Sequence, residues 1–265
     1  MLEINKIYCV DNVEGMKLLD TESIDLTVTS PPYDDLRDYN GYSFDFEGVA
    51  NQLYRVTKAG GIVVWVIGDE TKNFQESLSS FKQAIHFVDN SGFYLLDTMI
   101  YLKNNVPPTY PNMKRYSPAF EYMFVFSKGK PKCFNPIKDR ENKNYGKDFQ
   151  GGTQRQKDGS LKKTPRYSPQ QYGMRFNYWN YTVGKNKDTK DEIALNHPAR
   201  FPEKLAEDHI ISWSNERDLV LDPFMGSGTT AKMAKLNNRN YIGFDSSQEY
   251  CDIANNRLNS LGVTK

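Results

Sequence analysis

Hydrophobic and polar positions follow two different periodicities along the first part of the chain. Short apolar runs at residues 7–10, 24–29 and 62–67 have the length of buried strands. Between the last two runs, apolar residues recur at helical spacing, at Phe46, Val49, Ala50, Leu53 and Val56. We expect this helix to end at the Ala-Gly-Gly segment 59–61, because glycine is typical of helix C-termini.

Further elements are predicted on both sides of an irregular middle segment. A second helix is predicted from apolar residues at helical spacing, with Gly92 ending it: Phe74, Leu78, Phe81, Ile85 and Val88. Strands are predicted at residues 93–102 and 120–127, joined by an irregular connection over 104–118. After the middle segment, the predicted elements are a helix near 202–213, a strand at 219–222, a helix after Gly228, a strand at 241–245 and a final helix through Ile253, Ala254 and Leu258.

Strands alternate with helices both before and after the irregular segment. This order is typical of an α/β fold with one doubly wound, mostly parallel sheet, built here from two distant parts of the chain. We therefore expect residues 1–131 and 196–265 to form the two halves of one domain, and residues 132–195 to be an insertion.

The net charge of +1 conceals a strong asymmetry. Residues 128–190 contain 16 Lys/Arg against 5 Asp/Glu, a net charge of +11, whereas the remainder carries −10. Such a segment indicates a polyanionic partner, although a solvated disordered loop has the same charge pattern. Interleaved aromatic residues favour the partner, because disordered segments are poor in aromatics. These residues are Phe134, Tyr145, Phe149, Tyr167, Tyr172, Phe176, Tyr178, Trp179 and Tyr181.

Composition excludes several other classes of protein. No apolar run approaches the roughly 18–20 residues of a membrane span, and the polar first residues do not resemble a signal peptide, so we expect a cytoplasmic protein without membrane contact. The three cysteines and three histidines are scattered without ligand spacing. We therefore expect neither a disulfide framework nor a metal site.

A glycine turn lies between a predicted strand and the helix after it, in the sequence Leu-Val-Leu-Asp-Pro-Phe-Met-Gly-Ser-Gly-Thr-Thr over residues 219–230. Glycines at such a turn let the backbone approach a ligand closely. The Gly-Lys-Ser/Thr ending of a phosphate-binding loop is missing, and so is the dinucleotide fingerprint. The next strand ends at Asp245, about 20 residues on, where an acid accepts hydrogen bonds from ribose hydroxyls. The pattern favours a nucleoside ligand without a pyrophosphate; a structural turn, with Asp245 as a helix N-cap, is the alternative.

A second motif, Thr-Ser-Pro-Pro-Tyr at residues 29–33, follows the strand at 24–29. Two prolines fix φ twice and remove two N–H donors, so the local carbonyls and the Ser30 hydroxyl form a stiff set of acceptors. Stiff acceptors suit a substrate amino group. The tetrapeptide Ser-Pro-Pro-Tyr also occurs by chance in linkers. Its position here, directly after a predicted buried strand, argues against a linker.

Together, the Thr-Ser-Pro-Pro-Tyr segment, the glycine turn and Tyr-Ile-Gly-Phe-Asp at residues 241–245 resemble the DNA amino-methyltransferases that use S-adenosylmethionine (SAM). The order of the motifs resembles the circularly permuted β group of that family. The resemblance spans the chain except about residues 135–196. It implies a Rossmann-like methyltransferase fold in which the basic insertion is a target-recognition region.

The resemblance also implies roles for individual residues. The catalytic loop would be Ser30, Pro31, Pro32 and Tyr33. The SAM-binding residues would be Asp11, Phe201, Pro202, Asp222, Pro223, Phe224, Gly226, Ser227, Gly228, Thr229 and Asp245. In this scheme Ser30 and the Pro31 carbonyl accept the two amino hydrogens of a base flipped out of the duplex, and Tyr33 stacks on that base.

The target base and the partners are less closely defined. A loop that opens with serine resembles the N4-cytosine enzymes, while an N6-adenine enzyme is the alternative; a C5-cytosine mechanism is excluded because the chain has no Pro-Cys dipeptide. Double-stranded DNA is the expected partner, with a companion restriction endonuclease and a homodimer as further expectations. Candidate DNA-contacting residues are Arg155, Arg166, Gln170, Gln171 and Arg175. An RNA or protein-glutamine methyltransferase and an inactive DNA-binding module are remoter alternatives.

Overall fold

A computed structural model describes residues 2–33, 45–106, 114–184, 189, 191 and 202–261. Its helices are α1 (Asn12–Lys17), α2 (Phe46–Val56), α3 (Ser79–Asp89), α4 (Glu203–Trp213), α5 (Thr229–Leu236) and α6 (Gln248–Ser260). Its strands are β1 (Lys6–Cys9), β2 (Ile24–Thr29), β3 (Thr57–Ile67), β4 (Thr71–Lys72), β5 (Gln75–Glu76), β6 (Tyr94–Lys103), β7 (Phe120–Ser127), β8 (Arg140–Glu141), β9 (Thr153–Arg155), β10 (Leu161–Lys163), β11 (Tyr172–Gly173), β12 (Tyr178–Tyr181), β13 (Leu219–Asp222) and β14 (Asn240–Asp245). None of these helices is long and apolar enough to cross a membrane.

Eight strands form the main sheet, in the order β1-β14-β13-β2-β3-β7-β6-β12. The first five are mutually parallel, β7 runs antiparallel to both of its neighbours, and β12 is parallel to β6. The predicted α/β fold with a mostly parallel sheet is therefore confirmed. The first half of the chain supplies β2 and β3, while the last third supplies β13 and β14, so the sheet is assembled from two distant segments.

The centre of the sheet explains why the apolar runs are continuous. Every residue of β2 is buried, and so are residues 62–67 of β3, because helices cover both faces of a parallel sheet. Trp65, Phe87 and Phe126 form the aromatic part of this core, with the rings of Trp65 and Phe87 in edge contact at 5.1 Å. Each such fully buried apolar side chain contributes about 1.5–3 kcal/mol to folding.

The helix predicted to end at the 59–61 glycine segment ends earlier. α2 stops at Val56 because Thr57 adopts an extended conformation and pairs with Ile24, while its hydroxyl donates to the Leu53 carbonyl at 2.6 Å. The glycines lie inside β3. Gly60 has a φ of +78°, and a Cβ there would come within 2.8 Å of a backbone carbonyl oxygen, so this position requires glycine for a close backbone contact.

The prediction of which face of the second helix is buried is wrong. α3 begins at Ser79 and buries Ser80, Ala84 and Phe87 instead. The predicted core residues are exposed, namely Phe74 (86%), Leu78 (47%), Phe81 (42%), Ile85 (59%) and Val88 (37%). The carboxylate of Asp69, just after β3, accepts hydrogen bonds from the backbone N–H and the hydroxyl of Ser80 and so fixes where the helix begins. The buried face has the same helical spacing as the predicted one, but it contains fewer large apolar residues.

Contacts divide the chain into two compact units, one of residues 1–135 with 177–265 and the other of residues 136–176. The smaller unit contains two antiparallel pairs, β8 with β11 and β9 with β10. β12 lies inside the segment that the sequence predicted as an insertion, yet it pairs with β6 in the main sheet.

Candidate active site

Chemically active side chains lie along one edge of the main sheet. The five parallel strands end at this edge, β6 ends there too, and β7 begins there because it is antiparallel. The side chains at or just beyond these strand ends are Asp11, Ser30, Asp69, Lys103, Glu121, Asp222 and Asp245. Ligands of open α/β sheets bind at this edge.

The Thr-Ser-Pro-Pro-Tyr loop and the glycine turn are brought together although about 190 residues separate them. They follow β2 and β13, which are neighbours in the sheet. The hydroxyl of Thr29 donates to Oδ1 of Asp222 at 2.6 Å, and the hydroxyl of Thr230 donates to the Val28 carbonyl at 3.0 Å. Both bonds are buried, so the two motifs lie directly beside each other at the sheet edge.

The glycine turn has a backbone that other residues rarely adopt. Gly226 and Gly228 have φ values of +50° and +81°. A Cβ on Gly228 would also come within 2.9 Å of the Ala254 Cβ. Gly228 is the N-cap of α5 and has no side chain that could accept from the first turn, so it leaves the first-turn N–H groups as hydrogen-bond donors at the turn. The geometry is that of an anion-binding helix start.

Two carboxylates flank this turn, and burial shifts both. Burial raises the pKa of Asp222 to about 6, against the opposing effect of the hydroxyls of Thr29 and Thr230. Burial also raises the pKa of Asp245, whose oxygens accept from the N–H groups of Gly226 and Ser247 at 2.8 and 2.9 Å. Ser247, not Asp245, is the N-cap of α6. Asp245 therefore supports the turn directly and retains lone pairs for a further donor.

Asp11 lies next to Asp245 along the sheet edge. Its side chain caps α1, with Oδ1 accepting from the N–H groups of Val13 and Glu14 at 2.9 and 3.1 Å. β1 pairs with β14, and the N–H of Val10 donates to the Asp245 carbonyl at 2.9 Å. The structure therefore places the two predicted cofactor acids on adjacent strand ends.

The Thr-Ser-Pro-Pro-Tyr loop is partly enclosed. Pro31 is buried, while Ser30, Pro32 and Tyr33 are half-buried. The Ser30 hydroxyl lies 2.8 Å from the Tyr33 hydroxyl. The stacking of Tyr33 on a base stays a prediction. The hydroxyl of Tyr33 is hydrogen-bonded within the protein.

Sequence reasoning missed two charged residues next to this loop. The hydroxyl of Tyr33 donates to Oε2 of Glu121 at 3.0 Å, and Nζ of Lys103 lies 2.5 Å from Oε1 of the same carboxylate. Both are mostly buried, with side-chain exposures of 25% for Lys103 and 16% for Glu121. The available signal was a charged residue inside one predicted strand, at Glu121, and another directly after the end of a second predicted strand, at Lys103.

A buried arginine, also missed, supports the glycine turn from behind. Arg257 on α6 has a fully buried side chain and donates to the Ser227 carbonyl at 3.0 Å and to the Thr229 hydroxyl at 3.1 Å. Its charge is compensated by Asp191, at 2.6 Å, and by Glu203. The turn is thus held by an ion-pair cluster as well as by Asp245.

The remaining predicted cofactor residues differ in how the structure places them. Phe201 lies outside the described residues, and Pro202 is buried at the start of α4. Pro223 is buried in the turn, and Phe224 packs its ring against that of Trp65 at 6.1 Å. Phe224 also donates its N–H to Oδ1 of Asp222 at 3.0 Å.

The predicted DNA-contacting residues all lie in the unit of residues 136–176. Four of them are exposed, namely Arg155, Arg166, Gln170 and Gln171. Arg175 is only half-buried and pairs with Asp139, its Nε donating to Oδ2 at 2.9 Å. That ion pair favours a structural role for Arg175 within the unit.

Known proteins resemble this chain along most of its length. The chain is 60% identical over 238 residues, 89% of each protein, to the orphan methyltransferase M.BamHII of Bacillus amyloliquefaciens. The solved structure of the M1.HpyAVI complex with SAM has 25% identity and a TM-score of 0.64, covering 96% of this chain and 98% of that one. PvuII DNA methyltransferase, described as cytosine-N4-specific, has 22% identity and a TM-score of 0.69, covering 95% and 85%, and shows the shared fold. Because the N6/N4 methyltransferase family, described as DNA methylase, matches residues 24–256, the chain belongs to that family and is a DNA methyltransferase.

Proposed function

We propose that this DNA methyltransferase methylates the N4 amino group of cytosine in duplex DNA, with S-adenosylmethionine as the methyl donor. The observation that supports this most directly is the buried bond between Thr29 and Asp222, which joins an acceptor-rich loop to a ligand-binding turn. A transferase needs these two sites side by side, because a methyl group moves only between reactants that are held in line.

The residues at the glycine turn fit S-adenosylmethionine by their donors and acceptors. The first turn of α5, which begins at a glycine N-cap, would hold the carboxylate of the methionine part. The acceptors at Asp245 and Asp11 would hold the ribose hydroxyls and the adenine amino group. When bound, S-adenosylmethionine supplies a methyl group on a positively charged sulfur.

The catalytic loop activates the substrate amine by accepting its hydrogens. An exocyclic amine of a base is a poor nucleophile because its lone pair is delocalised into the ring. If the Ser30 hydroxyl and the Pro31 carbonyl accept the two N–H bonds, the lone pair becomes available and the developing positive charge is stabilised. The base must leave the duplex to reach this half-buried loop, so the proposal includes base flipping.

The choice of cytosine rests on Ser30. The residue that opens this loop is a neutral hydroxyl, which resembles the N4-cytosine enzymes, and the fold is shared with a cytosine-N4-specific enzyme. N6-adenine is the alternative target, because a hydroxyl can accept from either amine.

The unit of residues 136–176 supplies a surface suited to the DNA backbone. Its Lys and Arg residues outnumber its Asp and Glu residues by six. The β9–β10 hairpin and the loop after it carry exposed cations, namely Arg155, Lys157, Lys162, Lys163 and Arg166. We propose that these side chains contact phosphates, which position a protein on DNA without reading its sequence. A companion endonuclease and a homodimer stay predictions.

Mass spectrometry of nucleosides tests the proposal. Duplex DNA is incubated with the purified protein and S-adenosylmethionine and then digested, and N4-methylcytosine is the expected product. Detection of N6-methyladenine instead would show that the target base is adenine and not cytosine. Methylated RNA or protein with unmodified DNA would contradict the proposed substrate, and absence of S-adenosylmethionine binding by calorimetry would indicate an inactive DNA-binding module.

A further inference from the structure

A chain of hydrogen bonds connects the catalytic loop to a carboxylate on the neighbouring strand. The Ser30 hydroxyl contacts the Tyr33 hydroxyl at 2.8 Å. The Tyr33 hydroxyl in turn contacts Oε2 of Glu121 at 3.0 Å and the Val66 carbonyl oxygen at 3.2 Å. Lys103 holds the other oxygen of the carboxylate at 2.5 Å. This series of hydrogen bonds therefore begins at the ion pair of Lys103 with Glu121 and ends at the proposed catalytic hydroxyl of Ser30.

The chemistry of these groups decides which hydroxyl donates in the contact between Ser30 and Tyr33. A phenol has one hydrogen to donate, whereas carboxylate and carbonyl oxygens only accept. Tyr33 faces two such acceptors, so its hydrogen points to Glu121 or Val66 and its oxygen lone pairs remain for Ser30. Ser30 must then be the donor in its bond with Tyr33. The opposite direction would leave the carboxylate of Glu121 facing a phenol lone pair.

We propose that Glu121 is a positioning residue for methyl transfer, which acts through Tyr33 to turn the Ser30 hydroxyl into an acceptor. Because the hydrogen of Ser30 points to Tyr33, its lone pairs are left for the amino group of the substrate base. This inference rests on the proposed function, in which Ser30 accepts an amino hydrogen. It explains how a neutral hydroxyl, which could donate or accept, is restricted to accepting.

Lys103 and burial make the orientation firm. The carboxylate uses one oxygen for Lys103 and the other for Tyr33, so the two contacts together hold the plane of the group. With only 16% of the Glu121 side chain exposed, water competes weakly for these oxygens. Hydrogen bonds to charged groups are stronger than those between neutral groups in proteins. The bond from Tyr33 to the Glu121 carboxylate therefore sets the orientation of the other hydrogen bonds in the series.

Substitution of Glu121 by Gln tests the direction in which these hydrogen bonds are donated. Glu121→Gln keeps the shape, but its amide can donate to the Tyr33 oxygen and so release the Tyr33 hydrogen toward Ser30. We expect kcat to fall about 10- to 100-fold, the value of one charged hydrogen bond, while the KM values for S-adenosylmethionine and DNA stay within about twofold. Glu22→Gln is the matched control, since Glu22 precedes β2 at the opposite edge and pairs with Lys128 at 3.1 Å.

The same substitution in a Tyr33→Phe background separates orientation from structural support. The phenyl ring of Tyr33→Phe cannot transmit a hydrogen bond, so adding Glu121→Gln should lower kcat less than about twofold further. If Glu121 only joined β6 to β7, it would lower kcat by the same factor in both backgrounds, and the inference would be overturned. Unchanged kcat for Glu121→Gln in the otherwise native enzyme would also overturn it.

A second variant protects the test against a folding defect. If thermal unfolding shows that Glu121→Gln is destabilised, Lys103→Gln releases the carboxylate while leaving it in place. It should lower kcat by a smaller factor, and only when Tyr33 is present; an equal effect without Tyr33 would contradict the inference. Failure of the unsubstituted protein to methylate DNA would overturn the proposed function itself, whereas the outcomes above concern Glu121 alone.

Discussion

The carboxyl edge of the main sheet and the unit of residues 136–176 are both polar, but they are polar in different ways. At the edge, groups such as Thr29 and Asp222 are buried and bonded to each other. In the smaller unit, all of which the structure describes, no residue is buried. The edge is therefore organised by the folded core, whereas the smaller unit keeps its charged side chains available to solvent.

The smaller unit is held by surface contacts. The rings of Phe149 and Tyr167 are stacked at 5.1 Å, and the guanidinium of Arg140 lies 4.6 Å from the ring of Phe176. Such contacts contribute about 0.5–1.5 kcal/mol each, much less than a buried apolar side chain with its neighbours. This difference agrees with the proposal that the buried edge carries out the chemistry and that the exposed unit contacts the DNA backbone.

The largest expected effect concerns the buried cluster behind the glycine turn. Arg257→Met leaves the carboxylates of Asp191 and Glu203 with Lys232 as their cation in the cluster. We expect the free energy of unfolding to fall by about 3–5 kcal/mol, because the two mostly buried carboxylates lose one of their two cations and the buried Ser227 carbonyl loses its charged donor. Chemical denaturation measures this change. Lys17→Met, which removes an exposed ion pair with Glu14, is the control and should have a much smaller effect; equal effects would show that burial of the cluster is unimportant.

Next in size is the loss of the proposed catalytic hydroxyl of Ser30. Ser30→Ala removes an acceptor for the substrate amino group, so we expect turnover to fall about 10²- to 10³-fold while S-adenosylmethionine affinity changes little. Methyl transfer to DNA and calorimetry measure the two quantities. Unchanged turnover would remove Ser30 from its proposed role, and a parallel loss of cofactor affinity would indicate damage to the whole edge.

A pH-dependent effect follows from the buried Asp222. Its pKa is raised from 3.8 to about 6, so between these values the carboxyl is ionised in the unfolded chain and protonated in the folded protein. Its contribution to stability is present below pH 3.8 and is lost as the pH rises through about 6. Asp222→Asn cannot titrate, so the fall in unfolding temperature from about pH 4 to about pH 7 should be shallower than in the native protein. Parallel curves for the two proteins would contradict this assignment.

The smallest effect per side chain is expected in the exposed unit. Replacing Arg155, Lys162, Lys163 and Arg166 by Gln should reduce the slope of log affinity for DNA against log salt by about 0.9 for each phosphate that the protein no longer neutralises. S-adenosylmethionine binding should be unaffected. Lys17→Gln with Lys82→Gln, at exposed sites of the larger unit, is the control. An unchanged slope for the fourfold variant would place DNA binding elsewhere.

Prediction from sequence succeeded where one kind of residue dominated a segment. The run at 24–29 became β2 with the same limits, and α2 buries the apolar face that its spacing indicated. It failed at α3, where two faces had helical spacing and the more apolar one is exposed. Local spacing cannot choose between such faces, because the choice depends on which neighbouring strand the helix packs against.

For the site, the motifs themselves were visible in the sequence, but their supports were not. Ser30, Gly228 and Asp245 were recognised because prolines, glycines and a strand-end acid are unusual in sequence. Glu121 and Arg257 were missed because charged residues in strands and helices are normally on the surface. Only the fold shows that one contacts Tyr33 and the other supports the glycine turn.

The sequence by itself determined the alternation of strands and helices, the segments that carry chemistry and the segment that carries positive charge, because hydrophobic spacing and residue type are local properties. Tertiary structure decided that β2 and β13 are neighbours, which face of α3 is buried and which charged residues enter the interior. These outcomes depend on contacts between residues far apart in the chain, where burial and hydrogen-bond partners are set by the whole sheet rather than by any one segment.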